Sequence, residues 1–265
     1  MDPQLKLQEL LDSVVTDISD RERIVKAIGE TTSATVSMEE TFQVSGAEVD
    51  LGRAVRCGFP EVVYAEGKPA QLVVDVFRSQ QAVGQSSLAT RVSPEQAAAV
   101  QQAFPDAIYH PAARTVRRSD SEQSNEANPQ PAVAVVTAGS CDLPVAAEAI
   151  ETLTWMGVAA KLIEDVGVAG PQRLLSHVPM LQKMKCIVCV AGMEAALPSV
   201  LGGHVNCPVV GVPTSVGYGA SFMGLAALLS MLNCCASNVV TVNIDGGFRG
   251  GYVAGMIASE QNAPG

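Results

Sequence analysis

Beyond Pro131 the chain is organised around five apolar runs, AVAVVTAG, VAAKLIEDVG, CIVCVAG, PVVGVPT and VVTVNIDGG, each closing on Gly, Asp or Thr. Helical stretches fall between them: DLPVAAEAIETLTWM, PQRLLSHVPMLQKM, EAALPSVLGG and ASFMGLAALLSMLNCCA. Strands that read as unbroken aliphatic runs are buried on both faces, which requires helices above and below the sheet. Regular β–α alternation predicts a parallel sheet with right-handed crossovers. The expected fold class is α/β, a three-layer Rossmann-like or flavodoxin-like parallel-sheet domain over residues 131–265. A smaller α+β domain over residues 1–128 is expected to precede it.

The first half has a different texture. MDPQLKLQELLDSVV carries apolar residues at helical spacing behind an Asp2-Pro3 start. A short strand is expected in EVVYAEG and a helix from about Pro69, followed by a second strand–helix pair in SSLATRVSPEQAAAVQQAF. RRSDSEQSNEANPQP has almost no apolar residue and reads as a polar linker over residues 117–130.

Composition narrows the partners. With 265 residues, 48% of them hydrophobic and 17% charged, the chain can bury one large core or two small ones. The net charge of −10 argues against a nucleic-acid partner, which needs clustered Lys and Arg. Only TVRR, Thr115–Arg118, is locally basic, and it reads as a solvated patch. Val209–Leu232 is long enough to raise the question of a membrane span. Pro213, Gly211, Gly217, Gly219 and Gly224 break it into an expected strand, loop and buried helix. No signal peptide is visible, so a cytoplasmic protein with no membrane partner is expected. Seven cysteines in that setting predict free thiols. Cys186 and Cys189 form a CxxC inside a strand-like run, where alternation puts them on opposite faces or leaves them buried, so neither metal nor redox use is expected.

In sheets of this kind ligands bind in the loops after the strands. The first such loop, TAGSCDLP, offers Gly139 for close backbone approach, with Ser140 and Asp142 at a helix start. Helix N–H groups there suit an anion, although on this loop alone plain N-capping by Asp142 is the better explanation. The second, EDVGVAGPQRLL, carries Gly167 and Gly170 with Pro171 and Arg173 behind them, a generic phosphate cradle. The third, VAGMEAALPSV, places Glu194 where a helix dipole would welcome an acid. The fourth, GVPTSVGYGASFMG, supplies Thr214, Ser215, Gly217 and Gly219 for a phosphate or carboxylate and Tyr218 for stacking. A helix from near Ala220 then ends at the adjacent pair Cys234 and Cys235. Adjacent thiols suit neither a disulfide nor a chelate. The dipole at a helix C-terminus opposes a thiolate, so position alone makes the pair structural.

The blocks VVTAGSCDLPVAAEA, DVGVAGPQRLL, VAGMEAALPSVLGG, VPTSVGYGASFMGLAALLSMLNCCAS and VVTVNIDGGFRGGYVA resemble, in order and spacing, the LarB family. VDLGRAVRCGFPEVVYAEGK in the first half resembles that family's amino-terminal signature. LarB proteins are pyridinium-3,5-biscarboxylic acid mononucleotide synthases, related to the aminoimidazole ribonucleotide carboxylases of purine synthesis. The resemblance implies carboxylation of the pyridinium ring of nicotinic acid adenine dinucleotide with carbon dioxide or bicarbonate. It also implies hydrolysis of the phosphoanhydride to release AMP, on the way to the nickel-pincer nucleotide.

The family's cysteine follows MLNS, so it falls on Cys235, with Cys234 in the serine's place. Its acid falls on Glu194, as proton acceptor. Asp142 matches the aspartate of the family's AGTSD block, with Ser140 for Thr and Cys141 for Ser, and is implied to orient substrate or bind Mg²⁺. Gly192, Met193 and Asn233 of the same blocks complete the implied substrate-binding set. Relatives of this fold assemble as octamers, which implies a homo-oligomer. NIDGGFRGG departs from the family's NIDNGFGA, placing Gly246 for Asn and adding Arg249. Two other readings remain. A purine carboxylase or mutase would carry a histidine where this chain has Ala196. A non-catalytic nucleotide-binding subunit would keep the fold without the chemistry.

Overall fold

The computed structural model describes residues 41–44, 46–119 and 130–259. The helix expected in MDPQLKLQELLDSVV and most of the polar linker lie outside the described residues. A two-stranded ribbon, β1 (Thr41–Val44) and β2 (Ala47–Asp50), leads into the short helix α1 (Arg53–Cys57). Next come β3 (Val63–Tyr64), α2 (Ala70–Ala82), β4 (Ser87–Thr90), α3 (Pro94–Ala103), β5 (Ile108–His110) and β6 (Thr115–Arg118). The last four strands form one mixed sheet in the order β3-β4-β6-β5, parallel at β3–β4 and antiparallel elsewhere. Helix α3 starts where Ser93 and Gln96 cap one another reciprocally ahead of Pro94, a capping box that satisfies two otherwise orphaned amides. Its Val100 and the following Phe104 pack with Val73 and Phe77 of α2 and Val116 of β6.

The basic stretch Thr115–Arg118 is therefore a buried strand and not a solvated patch. Arg117 Nε lies 2.9 Å from Glu151 Oε2, and Arg118 Nε lies 2.9 Å from Asp106 Oδ2. A carboxylate distant in sequence offsets the desolvation of Arg117, and Arg118 is offset by Asp106 together with the Phe104 ring, 5.7 Å from its guanidinium carbon.

The second half is the α/β domain: β7 (Val133–Thr137), α4 (Leu143–Trp155), β8 (Ala160–Ile163), α5 (Pro171–Leu175), α6 (Val178–Leu181) and β9 (Cys186–Ala191). It continues through α7 (Leu197–Gly202), β10 (Val209–Pro213), α8 (Leu225–Leu232), β11 (Val239–Thr241) and α9 (Gly247–Ala258). All five strands are parallel, in the order β11-β10-β9-β7-β8, with Val135 of β7 paired to Leu162 on one side and Val188 on the other. Alternation divides the core between two faces. Cys186, Val188 and Val190 meet α4 and α9, while Ile187, Cys189 and Ala191 meet α7 and α8. The CxxC thiols are thus buried on opposite faces, and all seven cysteines are free.

Two helices differ from expectation. PQRLLSHVPMLQKM splits into α5 and α6, because Pro179 lacks an N–H and its ring collides with the carbonyl four residues back, that of Leu175. The helix expected from Ala220 begins only at Leu225, since Phe222, Met223 and Gly224 all take positive φ, at 44°, 55° and 91°. Nor is α8 a buried helix: Ala227 and Met231 are buried, whereas Leu225, Leu229 and Leu232 are exposed. Among the described residues no helix is long and apolar enough to cross a membrane.

Candidate active site

From β7 the chain moves outward to β8 and then returns across β7 to β9, so the winding direction reverses between β7 and β9. Loops leaving adjacent strands in opposite directions open a crevice at the carboxyl end of the sheet. A cleft of about 350 Å³ lies there, walled by residues 138–142 after β7, Asp165, Gly167 and Arg173 after β8, and residues 192–197 after β9.

Asp142 is its most constrained acid. The residue is 3% exposed; Oδ1 accepts from Thr214 Oγ1 at 2.7 Å and Oδ2 from the Gly139 amide at 2.9 Å. Burial raises its pKa above the ordinary aspartate range against the pull of these donors, and the Asp245 carboxylate pushes the same way. The side chain makes no capping bond to α4, so it points back into the loop cluster and N-capping does not account for it.

Glu194 stands exposed on a turn between Met193 and Ala195, whose φ values are 53° and 50°. Left-handed backbone at two non-glycine residues stores strain that the surroundings must hold in place. Part of the holding is a bond from the Met193 amide to the Val216 carbonyl at 2.9 Å. Gly192 makes that contact possible: a Cβ there would sit 2.5 Å from Val216 O and 2.6 Å from Thr214 Oγ1. Helix α7 starts three residues beyond Glu194, so complementing its dipole is not the role of this acid.

The second loop is not a free phosphate cradle. Arg173 Nη1 is 2.7 Å from Asp165 Oδ2, so the one guanidinium in the wall is already paired. Three carboxyl groups, Asp142, Asp165 and Glu194, face this single cation. The balance favours a cationic group in the cleft over a bare anion.

Behind the cleft, Asp245 Oδ1 accepts from the Ser215 amide at 2.8 Å, and the Asp245 amide donates to Pro213 O at 2.8 Å. These bonds fix the loop that presents Thr214. Arg91 of the small domain donates to the Asp245 carbonyl, and its Nε lies 3.4 Å from Glu148 Oε1. Glu148 is buried, and burial raises its pKa, with Arg91 pulling the other way.

Of the residues singled out in the sequence, Gly139, Ser140, Asp142, Gly167, Gly192, Met193 and Glu194 share the cleft, and Thr214 reaches it through Asp142. Gly170 heads α5 outside the wall, and Ser215, whose backbone amide donates to Asp245, is not part of it either. Gly217, Tyr218 and Gly219 form an exposed loop in which Tyr218, at 81% exposure, stacks on nothing in the cleft. Asn233 and Cys235 are exposed just past α8, and Cys234 Sγ lies 2.9 Å from Ser199 Oγ. None of these three belongs to the cleft wall within one chain. Asp165, Arg91 and Asp245 went unread in the sequence. Asp165 had a signal, its place at the carboxyl end of the second apolar run; the other two act through contacts distant in sequence.

Mg²⁺ finds no ready ligand set. Among the described residues no three His, Cys, Asp or Glu side chains gather as ligands, and both Asp142 oxygens already accept hydrogen bonds.

A doubly wound parallel sheet with a carboxyl-lined cleft at its switch point defines a small-molecule-binding α/β class. The model of the AIR carboxylase family matches residues 132–264, and that of the LarB/PurE-like N-terminal domain matches residues 41–120. The chain belongs to this LarB/PurE-like family. It is 37% identical over 222 residues to the uncharacterized protein MJ0165 of Methanocaldococcus jannaschii, covering 80% of this chain and 83% of that one. It is 26% identical over 130 residues to the N5-carboxyaminoimidazole ribonucleotide mutase of Thermotoga maritima, 48% of this chain and 74% of that one. Among solved structures, a Treponema denticola PurE2 variant aligns at a TM-score of 0.43 and 20% identity, over 51% of this chain and 83% of its own.

Proposed function

We propose that the chain carboxylates the pyridinium ring of nicotinic acid adenine dinucleotide and hydrolyses its phosphoanhydride to release AMP. The observation that carries this reading is the cleft's charge: three carboxyl groups against one paired guanidinium, a setting for a cationic ring. A pyridinium is electron-poor and does not attack carbon dioxide. Addition of the Cys235 thiolate to a ring carbon breaks aromaticity and leaves an enamine, whose adjacent carbon forms the bond to carbon dioxide. A base, Glu194 in this reading, then takes the proton from that carbon. The C–S electron pair returns to sulfur and the ring regains aromaticity, with no net oxidation. Asp142 orients the substrate beside Thr214. Mg²⁺ enters only as a companion of the substrate phosphates, a common habit of this ion.

Cys235 and the cleft do not meet within one chain, and the exposed apolar side of α8 supports the reason. Leu225, Leu229 and Leu232, with Phe222 and Met223 before them, form a surface suited to burial against another copy. In this reading assembly into an octamer brings the cysteine of one copy to the cleft of a neighbour, and residues 131–265 form the catalytic domain. A mutase of the Thermotoga kind is less well supported: Ala196 stands in the wall where a general-acid imidazole would be needed, and none of the three histidines lines the cleft.

Incubation with the dinucleotide, bicarbonate and Mg²⁺ should yield AMP and a mononucleotide heavier by one carboxylate, read by mass spectrometry. Turnover of aminoimidazole ribonucleotide in place of the dinucleotide would reject the proposal.

A further inference from the structure

A second cleft, of about 560 Å³, opens at the carboxyl end of the edge strand β11. Its walls are residues 241–243, the first two turns of α9, and Arg53 and residues 60–62 of the small domain. Its volume falls in the range of small-molecule sites, and it opens beside an edge strand, away from the switch point that holds the first cleft.

Two guanidiniums face it, from Arg53 at the start of α1 and Arg249 in the first turn of α9. Every other described arginine lies within 3.6 Å of a carboxylate. Arg53 and Arg249 have no such partner among the described residues, and both open onto the same cleft. The one acid in the wall, Glu61, is engaged: its Oε2 accepts from the Asp50 amide at 2.7 Å. Two aromatic residues of the wall, Phe248 and Tyr252, are backed from outside it by Phe59 and the buried Trp155. Phe248 and Tyr252 have ring centroids 5.6 Å apart, Phe59 stands edge-on to Tyr252, and Trp155 lies 5.9 Å from Phe59.

We propose that this cleft is a second ligand site, for a nucleoside monophosphate. The forked donors of Arg53 and Arg249 take the phosphate, as guanidinium geometry matches its oxygens bidentately. The base lies against Phe248 and Tyr252. Asn243 adds an amide donor, because its carbonyl is held by the Ile244 amide at 2.9 Å. This site is separate from the first cleft and does not rest on the proposed reaction.

Calorimetric titration of the full-length protein with AMP tests it, with emission of Trp155, the chain's single tryptophan, reporting where the heat arises. Arg53→Ala and Arg249→Ala should each weaken binding by about tenfold or more, at unchanged melting temperature. Arg173→Ala, in the first cleft, should leave the tryptophan response unchanged. Absence of binding overturns the proposal, as does AMP binding that survives both variants or is lost with Arg173→Ala. Inorganic phosphate binding as tightly as AMP overturns it too, since the base would then contribute nothing.

Discussion

Asp142 keeps both oxygens hydrogen-bonded, yet desolvation outweighs its donors and its pKa rises above the ordinary aspartate range. The folded protein therefore holds this proton more tightly than the unfolded chain does. The corresponding stability is present at low pH and is lost as pH climbs from the unfolded value through the folded one. Asp142→Asn removes the charge while its amide still reaches Thr214 and its carbonyl still accepts from Gly139. A higher melting temperature at neutral pH is expected, a flatter pH dependence across that acidic window, and loss of turnover. A lower melting temperature would show that the ionised hydrogen bonds outweigh the desolvation. The thiols divide just as sharply. Burial pushes Cys186 up to about 12 and Cys189 higher still, whereas Cys57, Cys141 and Cys235 are exposed. Alkylation of the native protein near neutral pH should mark those three and spare Cys186, Cys189 and Cys207 until denaturation, as read by peptide mass spectrometry.

At the scale of elements, the parallel sheet was legible because its central strands β7, β9 and β10 are buried on both faces and so are apolar almost throughout, while the partly exposed edge strands β8 and β11 follow from the β–α alternation. The smaller sheet was less so. Strand β6 spends its last two positions, one on each face, on Arg117 and a buried Arg118, and their acidic partners, Glu151 and Asp106, lie elsewhere in the chain. The start of α8 was misplaced because no propensity marks Phe222 and Met223 for left-handed backbone; tertiary packing imposes it. The cleft followed the sheet: Gly139, Asp142, Gly192 and Glu194 were readable as strand-end residues, but the tie from the small domain was not. Arg91 holds both Glu148 and the Asp245 loop that presents Thr214. Arg91→Ala should destabilise the protein by about 2 kcal/mol, as expected for removing hydrogen bonds to charged groups, measured by denaturant unfolding. Turnover should fall further than stability explains, because the loop beside Asp142 loses its anchor; unchanged turnover in folded Arg91→Ala would contradict that link.

The whole molecule is where the two halves of the proposed chemistry must meet, since Cys235 lies outside the cleft of its own chain. Leu229→Lys places a charge at a position 51% exposed in one chain, so the subunit should fold while its assembly shrinks, as read by light scattering. Mixing folded Cys235→Ala and Glu194→Gln subunits under dissociating and then reassembling conditions should restore part of the activity that each lacks, because some clefts then draw a sound acid and a sound cysteine from different copies. A mixture as inactive as its components would place the reaction within a single chain. The most direct measurement uses heavy-carbon bicarbonate with nicotinic acid adenine dinucleotide, following label by mass spectrometry in wild type, Cys234→Ala and Cys235→Ala. The account predicts labelled carboxylate in the mononucleotide product from wild type and Cys234→Ala and none from Cys235→Ala. Label incorporated equally by folded Cys235→Ala, or by none of the three, would contradict it.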